Sequence, residues 1–169
     1  MKKILAALGC GALLSVVGLT QTAPTSKTDQ EFIDMVAQTD MLEAHLGQMA
    51  QDQASSQKVK DYAQMLVSDH TADYKQIGAV AAKIGATAPN GLGAAENHMI
   101  APFAKLKGAA FDKHFIHEMI AGHTKAIAAY KREDAKTQNA DLKAYIAQAL
   151  PVLEKHLKDA QDLENEKSS

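Results

Sequence analysis

The pattern that decides the fold is clearest in residues 56–85, which read SQKVKDYAQMLVSDHTADYKQIGAVAAKIG. The residues of one face recur there at intervals of three, four or seven, at Val59, Ala63, Leu66, His70, Ile77 and Ile84, and all but His70 are apolar. This spacing is typical of an amphipathic helix, because a half-buried strand would alternate every second residue. Ser56 is a favourable N-cap and Gly85 a favourable helix stop. The segment therefore predicts one long helix with a single apolar face.

Three further segments have the same period. They predict helices over residues 28–54, 108–137 and 139–163, the first opened by a capping box formed by Thr28 and Glu31. Helices of this length span about 40 Å. The breaks after the first and third helices are so short that each pair must form an antiparallel hairpin. The sequence thus predicts an all-α four-helix bundle over residues 28–163, followed by a polar tail at 164–169.

The two predicted hairpins are joined by a long connection over residues 85–107. It contains Pro89, Asn90 and Gly91, and a short helix is expected from residue 94 onward, interrupted by Pro102. The connection is long enough to return along the bundle, which would give ferritin-like connectivity. A simple up-down-up-down order is the alternative.

The first 24 residues have the three-part organisation of a bacterial secretory signal. Two lysines follow Met1, residues 4–19 carry no charge, and residues 21–26 are small and polar. The apolar run is short for a bilayer span. We therefore expect export to the periplasm or cell envelope, with no stable membrane span after signal removal. A retained N-terminal anchor and lipidation of Cys10 are the alternatives, and the cleavage point is left open.

Composition limits the classes of function. The chain has 169 residues, with 18 Lys+Arg against 20 Asp+Glu, a net charge of −2 and no Trp. A protein that follows a nucleic-acid backbone needs a basic surface, so no nucleic-acid partner is expected. Gly-rich phosphate loops and Cys pairs are also missing from the sequence.

Each predicted apolar face contains one strongly polar residue: Glu43, His70, His123 and His156. Counted from the hairpin turns, the two members of each hairpin differ in height by two residues, or about 3 Å. All four therefore lie in one mid-bundle layer, one from each helix. Burying a lone carboxylate and neutral imidazoles is unfavourable, and a metal ion would satisfy their lone pairs. The sequence predicts a metal site, in which Asp69 accepts a hydrogen bond from the N–H of a ligating imidazole.

The metal is expected to be a divalent transition ion, and zinc, iron, manganese and copper all accept this ligand set. The alternative is a metal-free network in which Glu43 bonds the histidines directly. Tyrosines at positions 62, 74, 130 and 145 are candidates to reach the layer. His114 and His117 are a weaker candidate for a surface site. The scattered methionines are interpreted as core residues rather than as a copper site.

Several short motifs together resemble the bacterial domain of unknown function numbered 4142. They are Glu43, AQM at 63–65 followed by Asp69 and His70, GAAFD at 108–112, His123, and Leu150-Pro151 followed by His156. The resemblance covers residues 29–162, and Phe115 stands where Tyr is expected. It implies an exported or outer-membrane protein with a ferritin-like fold, and it implies no activity.

Di-iron chemistry is not expected, because Val67, Ile120 and Leu153 stand where the Glu of a Glu-x-x-His pair would be. The first hypothesis is an exported metal-binding protein for metal handling or envelope stress protection. The alternatives are a metal-dependent oxidase or hydrolase using the same site, and a structural or partner-binding bundle with no metal. The sequence identifies no protein partner.

Overall fold

The computed structural model describes residues 25–167, and all regular structure in this range is helical. Five α-helices follow one another: α1 (Lys27–Gln53), α2 (Gln57–Ile84), α3 (Ala94–Ile100), α4 (Ala109–Lys136) and α5 (Ala140–Lys167). A 3₁₀ turn, Phe103–Lys105, separates α3 from α4. The predicted all-α bundle with a short helix in its long connection is confirmed. The predicted signal segment, residues 1–24, lies outside the described residues.

Contacts at the two ends of the bundle fix the direction of each helix. At one end, Thr25 donates to the carbonyl of Ile84 at the end of α2. At the other end, the N–H of Gly108 donates to the carbonyl of Gln53 at 2.7 Å, so α4 begins beside the α1–α2 turn. The chain therefore runs up, down, down, up, and residues 85–108 carry it back along the bundle. This excludes the up-down-up-down alternative.

The helix ends differ in detail from those predicted. Ser26, not Thr28, forms the capping box of α1, by accepting from the N–H of Asp29 while the Asp29 carboxylate accepts from the N–H of Ser26. Gly85 ends α2 with a φ of 77°, a left-handed conformation that favours glycine. Helix α5 continues beyond the predicted end at residue 163, since Lys58 of α2 pairs with Glu166 at 2.6 Å.

Two apolar clusters fill the bundle, one towards each end. The cluster near the start of α1 includes Phe32, Ile33, Ile77, Tyr130, Leu142 and Ile146. The cluster near the α1–α2 turn includes Leu46, Val59, Leu66, Phe103, Phe111 and Phe115. Between the two clusters lies a layer of buried polar residues. None of the helices within residues 25–167 combines the length and apolarity needed to span a bilayer.

Candidate metal centre

The polar layer contains one of the predicted residues from each long helix. Glu43 comes from α1, His70 from α2, His123 from α4 and His156 from α5, and none of them is more than 3% exposed. On every helix the buried apolar residues before and after this position belong to different clusters, except Leu42, which adjoins Glu43 and packs with the cluster near the α1–α2 turn. The layer therefore interrupts the core at one height, as the helical spacing predicts.

The three imidazole rings face one another at the centre of this layer. Their centroids are 5.7 Å apart for His70 and His123, 5.3 Å for His70 and His156, and 5.2 Å for His123 and His156. One nitrogen from each ring can be chosen so that all three lie within 4.8 Å of one another. Within the part of the chain that the structure describes, this is the one group of three or more His, Cys, Asp or Glu side chains with metal-binding geometry.

The second nitrogen of each ring is held by a partner outside the centre. His70 Nδ1 lies 2.8 Å from Asp40 Oδ1, and His156 Nε2 lies 3.0 Å from Asp69 Oδ2. His123 Nδ1 lies 2.9 Å from the carbonyl oxygen of Met119, one turn earlier in α4. Such partners fix the tautomer and the orientation of a metal-binding imidazole, and they leave the other nitrogen free to coordinate.

Glu43 brings a carboxylate oxygen to the inward nitrogens. Its Oε2 lies 2.8 Å from His70 Nε2 and 3.3 Å from His123 Nε2. His123 Nε2 in turn lies 3.2 Å from His156 Nδ1. Despite their proximity, Glu43 Oε2 and His70 Nε2 are buried atoms without a hydrogen bond of acceptable geometry. These two atoms therefore do not form a hydrogen bond with each other.

Two of these distances are close to the edges of a tetrahedral metal site. With metal–nitrogen bonds of about 2.0–2.1 Å, adjacent ligand atoms of a tetrahedron lie about 3.3 Å apart. Two of the observed separations, 3.2 and 3.3 Å, are close to that value, and the third, 2.8 Å, is shorter. Three imidazoles and one carboxylate are also a chemically suitable donor set for a transition metal. The residues present therefore fit a bound ion.

The layer has a distinctive pattern of charge. Burial would raise the pKa of Glu43, but the nearby His123 and His70 outweigh it and lower the pKa to about 2. Burial would lower the pKa of His70, but Glu43 and Asp40 raise it to about 10. Burial and the two other histidines lower the pKa of His156 to about 4, against the opposing effect of Asp69. Without an ion, His70 would hold a proton between two acids and His156 would be neutral.

Only one of the outer partners was predicted from the sequence. Asp69 was expected to assist a ligating imidazole, and it contacts His156 of α5 rather than its neighbour His70. The partner of His70 is Asp40, which is 3% exposed and was not among the predicted site residues. The signal was available, since Asp40 precedes Glu43 by three residues and must share its face.

Three of the four candidate tyrosines lie close to the layer. The hydroxyl of Tyr62 donates to the carbonyl of His156 at 3.1 Å. Tyr145 donates to Asp73 at 2.6 Å, and its hydroxyl lies 3.0 Å from that of Tyr130. The fourth, Tyr74, instead bonds the carbonyl of Pro89 in the long connection. Together, Asp73, Tyr130 and Tyr145 extend the polar layer towards the start of α1.

The remaining histidines lie away from the layer. His45, His98 and His117 are exposed, and His114 packs against Phe103 with 4.6 Å between the ring centroids. His114 and His117 do not form a metal-binding group with a third such side chain within residues 25–167. Methionines occur in both the core and the surface: Met119 is 2% exposed and Met99 is 45% exposed.

Comparison with solved structures identifies a similar helical fold. CopM in its Cu(I)-bound form has a TM-score of 0.70 and 17% identity, covering 85% of this chain and 100% of CopM. The Cu(II)-bound form has a TM-score of 0.67 and 19% identity, covering 81% and 96%. An Ag-bound form obtained by co-crystallization has a TM-score of 0.67 and 17% identity, covering 82% and 96%. At these identities the similarity shows the fold alone.

Comparison with protein families is more direct. No curated protein matches the chain at a significant level. A family model described as a domain of unknown function, DUF4142, matches residues 15–163, which include all four long helices up to residue 163. This range contains the whole polar layer. The chain therefore belongs to the DUF4142 family.

Proposed function

We propose that this protein binds one transition-metal ion in the polar layer, through His70, His123, His156 and Glu43. The observation that carries the proposal is that the two nitrogens of each imidazole face different surroundings. One nitrogen is held by Asp40, Met119 or Asp69, and the other faces a common centre beside Glu43 Oε2. An ion at that centre would satisfy Glu43 Oε2 and His70 Nε2, two of the buried atoms that lack hydrogen bonds.

Copper is the first ion to test. Imidazole and carboxylate donors accept several divalent ions, and among them Cu²⁺ generally binds tightest. The structural neighbours were solved with Cu(I), Cu(II) and Ag bound, which makes the monovalent ions worth testing as well. Zinc, iron and manganese complete the set. The N-terminal segment supports export, so we propose a role in metal handling or stress protection in the cell envelope.

The test is metal analysis of the protein purified without a histidine tag. Wild type is expected to bind one Cu²⁺, Zn²⁺ or Ag⁺ per chain, measured by elemental analysis and titration calorimetry. The double variant His70→Ala/His156→Ala should lose this site. The matched control His45→Ala/His98→Ala removes two exposed histidines and should retain it. Equal stoichiometry in both double variants, or no ion bound to wild type, would contradict the proposal.

A metal-free ionic network is the second candidate function of the layer. It is favoured by the position of His70, whose two nitrogens lie 2.8 Å from Asp40 and 2.8 Å from Glu43. A protonated His70 between two carboxylates would fix the register of α1 and α2 without an ion. This candidate predicts that wild type has the same melting temperature with Cu²⁺ or with a chelator. A bound ion must instead raise the melting temperature.

A further inference from the structure

Two openings approach the polar layer from opposite sides of the bundle, and they differ in chemistry. One is a cleft of about 250 Å³ between α2 and α5, called here the α2–α5 cleft. The other is a groove of about 430 Å³ between α1 and α4, partly covered by the long connection and called here the α1–α4 groove. His70 and His156 line the cleft, whereas Glu43 lines the groove.

The α2–α5 cleft is lined by groups that can replace the water around a cation. Asp69, Asp73, Gln76 and Gln148 contribute carboxylate and amide oxygens, and the lining contains no Lys or Arg. The side chain of Asp69 is 41% exposed, and its Oδ2 contacts His156 Nε2 at 3.0 Å. A single carboxylate thus contacts both solvent and one of the proposed ligand rings. Oxygen donors and negative charge therefore continue from the surface to the imidazoles.

The α1–α4 groove has a mixed lining. Three acids, Asp34, Glu96 and Glu118, line it besides Glu43, so it also offers oxygen donors. Unlike the cleft, however, it is lined by two cationic side chains, Lys125 and Arg132, which would repel a metal ion. Of the four proposed ligands, one lines the groove and two line the cleft.

We propose that the metal ion enters and leaves the polar layer through the α2–α5 cleft, with Asp73 as a capture residue that does not coordinate the bound ion. The inference rests on the proposed function and adds the route by which the ion reaches the polar layer. Asp73 belongs to the cleft, and its Oδ2 accepts from Tyr145, so its carboxylate is held at a fixed place. Negative charge at a cleft accelerates the arrival of cations.

The experiment measures how fast Co²⁺ loads the metal-free protein, by stopped-flow absorbance of the visible bands of the bound ion. Ala72→Trp and Val152→Trp each place an indole in the cleft from an exposed position. Ala129→Trp obstructs the groove and is the matched control. Both cleft variants should slow loading by roughly tenfold or more, whereas Ala129→Trp should load at the wild-type rate. Dissociation into excess chelator should slow in parallel, so that the equilibrium affinity changes little.

Asp73→Asn tests the capture residue separately, since it keeps an acceptor for Tyr145 while removing the charge. It should slow loading by roughly threefold and weaken the salt dependence of the rate. If both cleft variants load at the wild-type rate, or if Ala129→Trp alone slows loading, the route is wrong while the metal site stands. If wild type binds no Co²⁺, Cu²⁺ or Zn²⁺ at equilibrium, both the site and the route fail. Circular dichroism melts establish that each variant is folded.

Discussion

Two buried acids in this bundle differ in the hydrogen bonds that their carboxylates accept. Asp112, at the start of α4, is 2% exposed and accepts from three donors of the α1–α2 turn: the Ser55 N–H at 3.0 Å, the Ser55 hydroxyl at 2.7 Å and the Ser56 N–H at 3.0 Å. Glu43, in the middle of α1, is 3% exposed, and its Oε2 has near neighbours but no hydrogen bond of acceptable geometry.

The contrast separates a structural acid from the acid that we propose to bind an ion. Directional N–H and O–H donors complete the coordination of the Asp112 carboxylate, so an ion would add nothing there. The atoms nearest to Glu43 Oε2 are imidazole nitrogens whose rings are oriented by other partners. A buried polar atom without its own donor requires an explanation, and a shared ion supplies one. Burial alone therefore does not identify the site, whereas a buried oxygen without a donor beside three facing imidazoles does.

The largest effect on stability is expected from Asp112→Ala. It removes three hydrogen bonds and leaves two N–H groups of the α1–α2 turn without their acceptor, so we expect a loss of roughly 3 kcal/mol in the free energy of unfolding. Urea denaturation followed by circular dichroism measures this loss. Metal stoichiometry should not change. Asp52→Ala, at an exposed acid near the same end, is the control and should be nearly neutral. Equal stability of the two variants would show that Asp112 does not stabilise the α1–α2 turn.

The second effect concerns the outer partners of the imidazoles. Asp40→Asn keeps an acceptor beside His70 Nδ1 but removes the charge, and we expect metal affinity to fall by roughly 10–100-fold. Asp69→Asn should have a smaller effect, because water can reach the half-exposed Asp69 and can replace its contact with His156. Competition titration with a chromogenic chelator measures both affinities.

The control for this pair is Asp61→Asn, at an exposed acid of α2 that contacts Gln57 instead of the layer. It should bind metal as wild type does. A larger loss in Asp69→Asn than in Asp40→Asn would mean that burial of the partner does not set its importance. Wild-type affinity in both variants would indicate that the imidazoles are oriented by packing alone.

The layer itself could be predicted from sequence because helical geometry is regular. Because a helix rises 1.5 Å per residue, the height of Glu43 or His156 can be counted from the nearest hairpin turn with little error. The same regularity placed Glu43, His70, His123 and His156 on inward faces, but it did not single out Asp40. The connectivity was left open, since no local pattern states where residues 85–108 pack. It is fixed by contacts far apart in sequence, such as Gln38 with the carbonyl of Gly91 at 2.9 Å.

The partners of the imidazoles were harder to predict for a related reason. Asp69 is adjacent to His70 in sequence, yet consecutive residues of a helix point about 100° apart and do not contact each other's side chains. The contact of Asp69 is instead with α5, which requires knowledge of which helices are neighbours. Ser26 likewise took the capping role expected of Thr28, because two consecutive cap sequences overlap there and local preference does not separate them.

A third acid pair, at the other end of the bundle, sharpens the contrast with Asp112. Asp29 of α1 and Glu133 of α4 are 5% and 7% exposed, and each has a buried oxygen without a donor. Burial, together with a hydrogen bond to Asp29 and the charge of Asp29, raises the pKa of Glu133 above its ordinary value of 4.5. Burial would raise the pKa of Asp29 too, but hydrogen bonds from Thr137, Glu133 and Ser26 lower it. The opposite directions of the two shifts lead us to expect a proton shared between the two carboxyl groups and carried by Glu133.

The smallest expected effect follows from this expectation. As the pH rises through 4.5, the unfolded chain releases the proton of Glu133 while the folded protein retains it, so the free energy of unfolding falls until the pH passes the folded pKa. Glu133→Gln keeps a donor towards Asp29 at every pH. It should abolish this fall and stabilise the protein at neutral pH by up to about 1 kcal/mol. Melting temperatures between pH 4 and 8 measure the difference, with Glu31→Gln as the exposed control. A parallel pH profile in wild type and Glu133→Gln would mean that the two carboxyl groups do not share a proton, and the pair would then resemble Glu43 in lacking a donor.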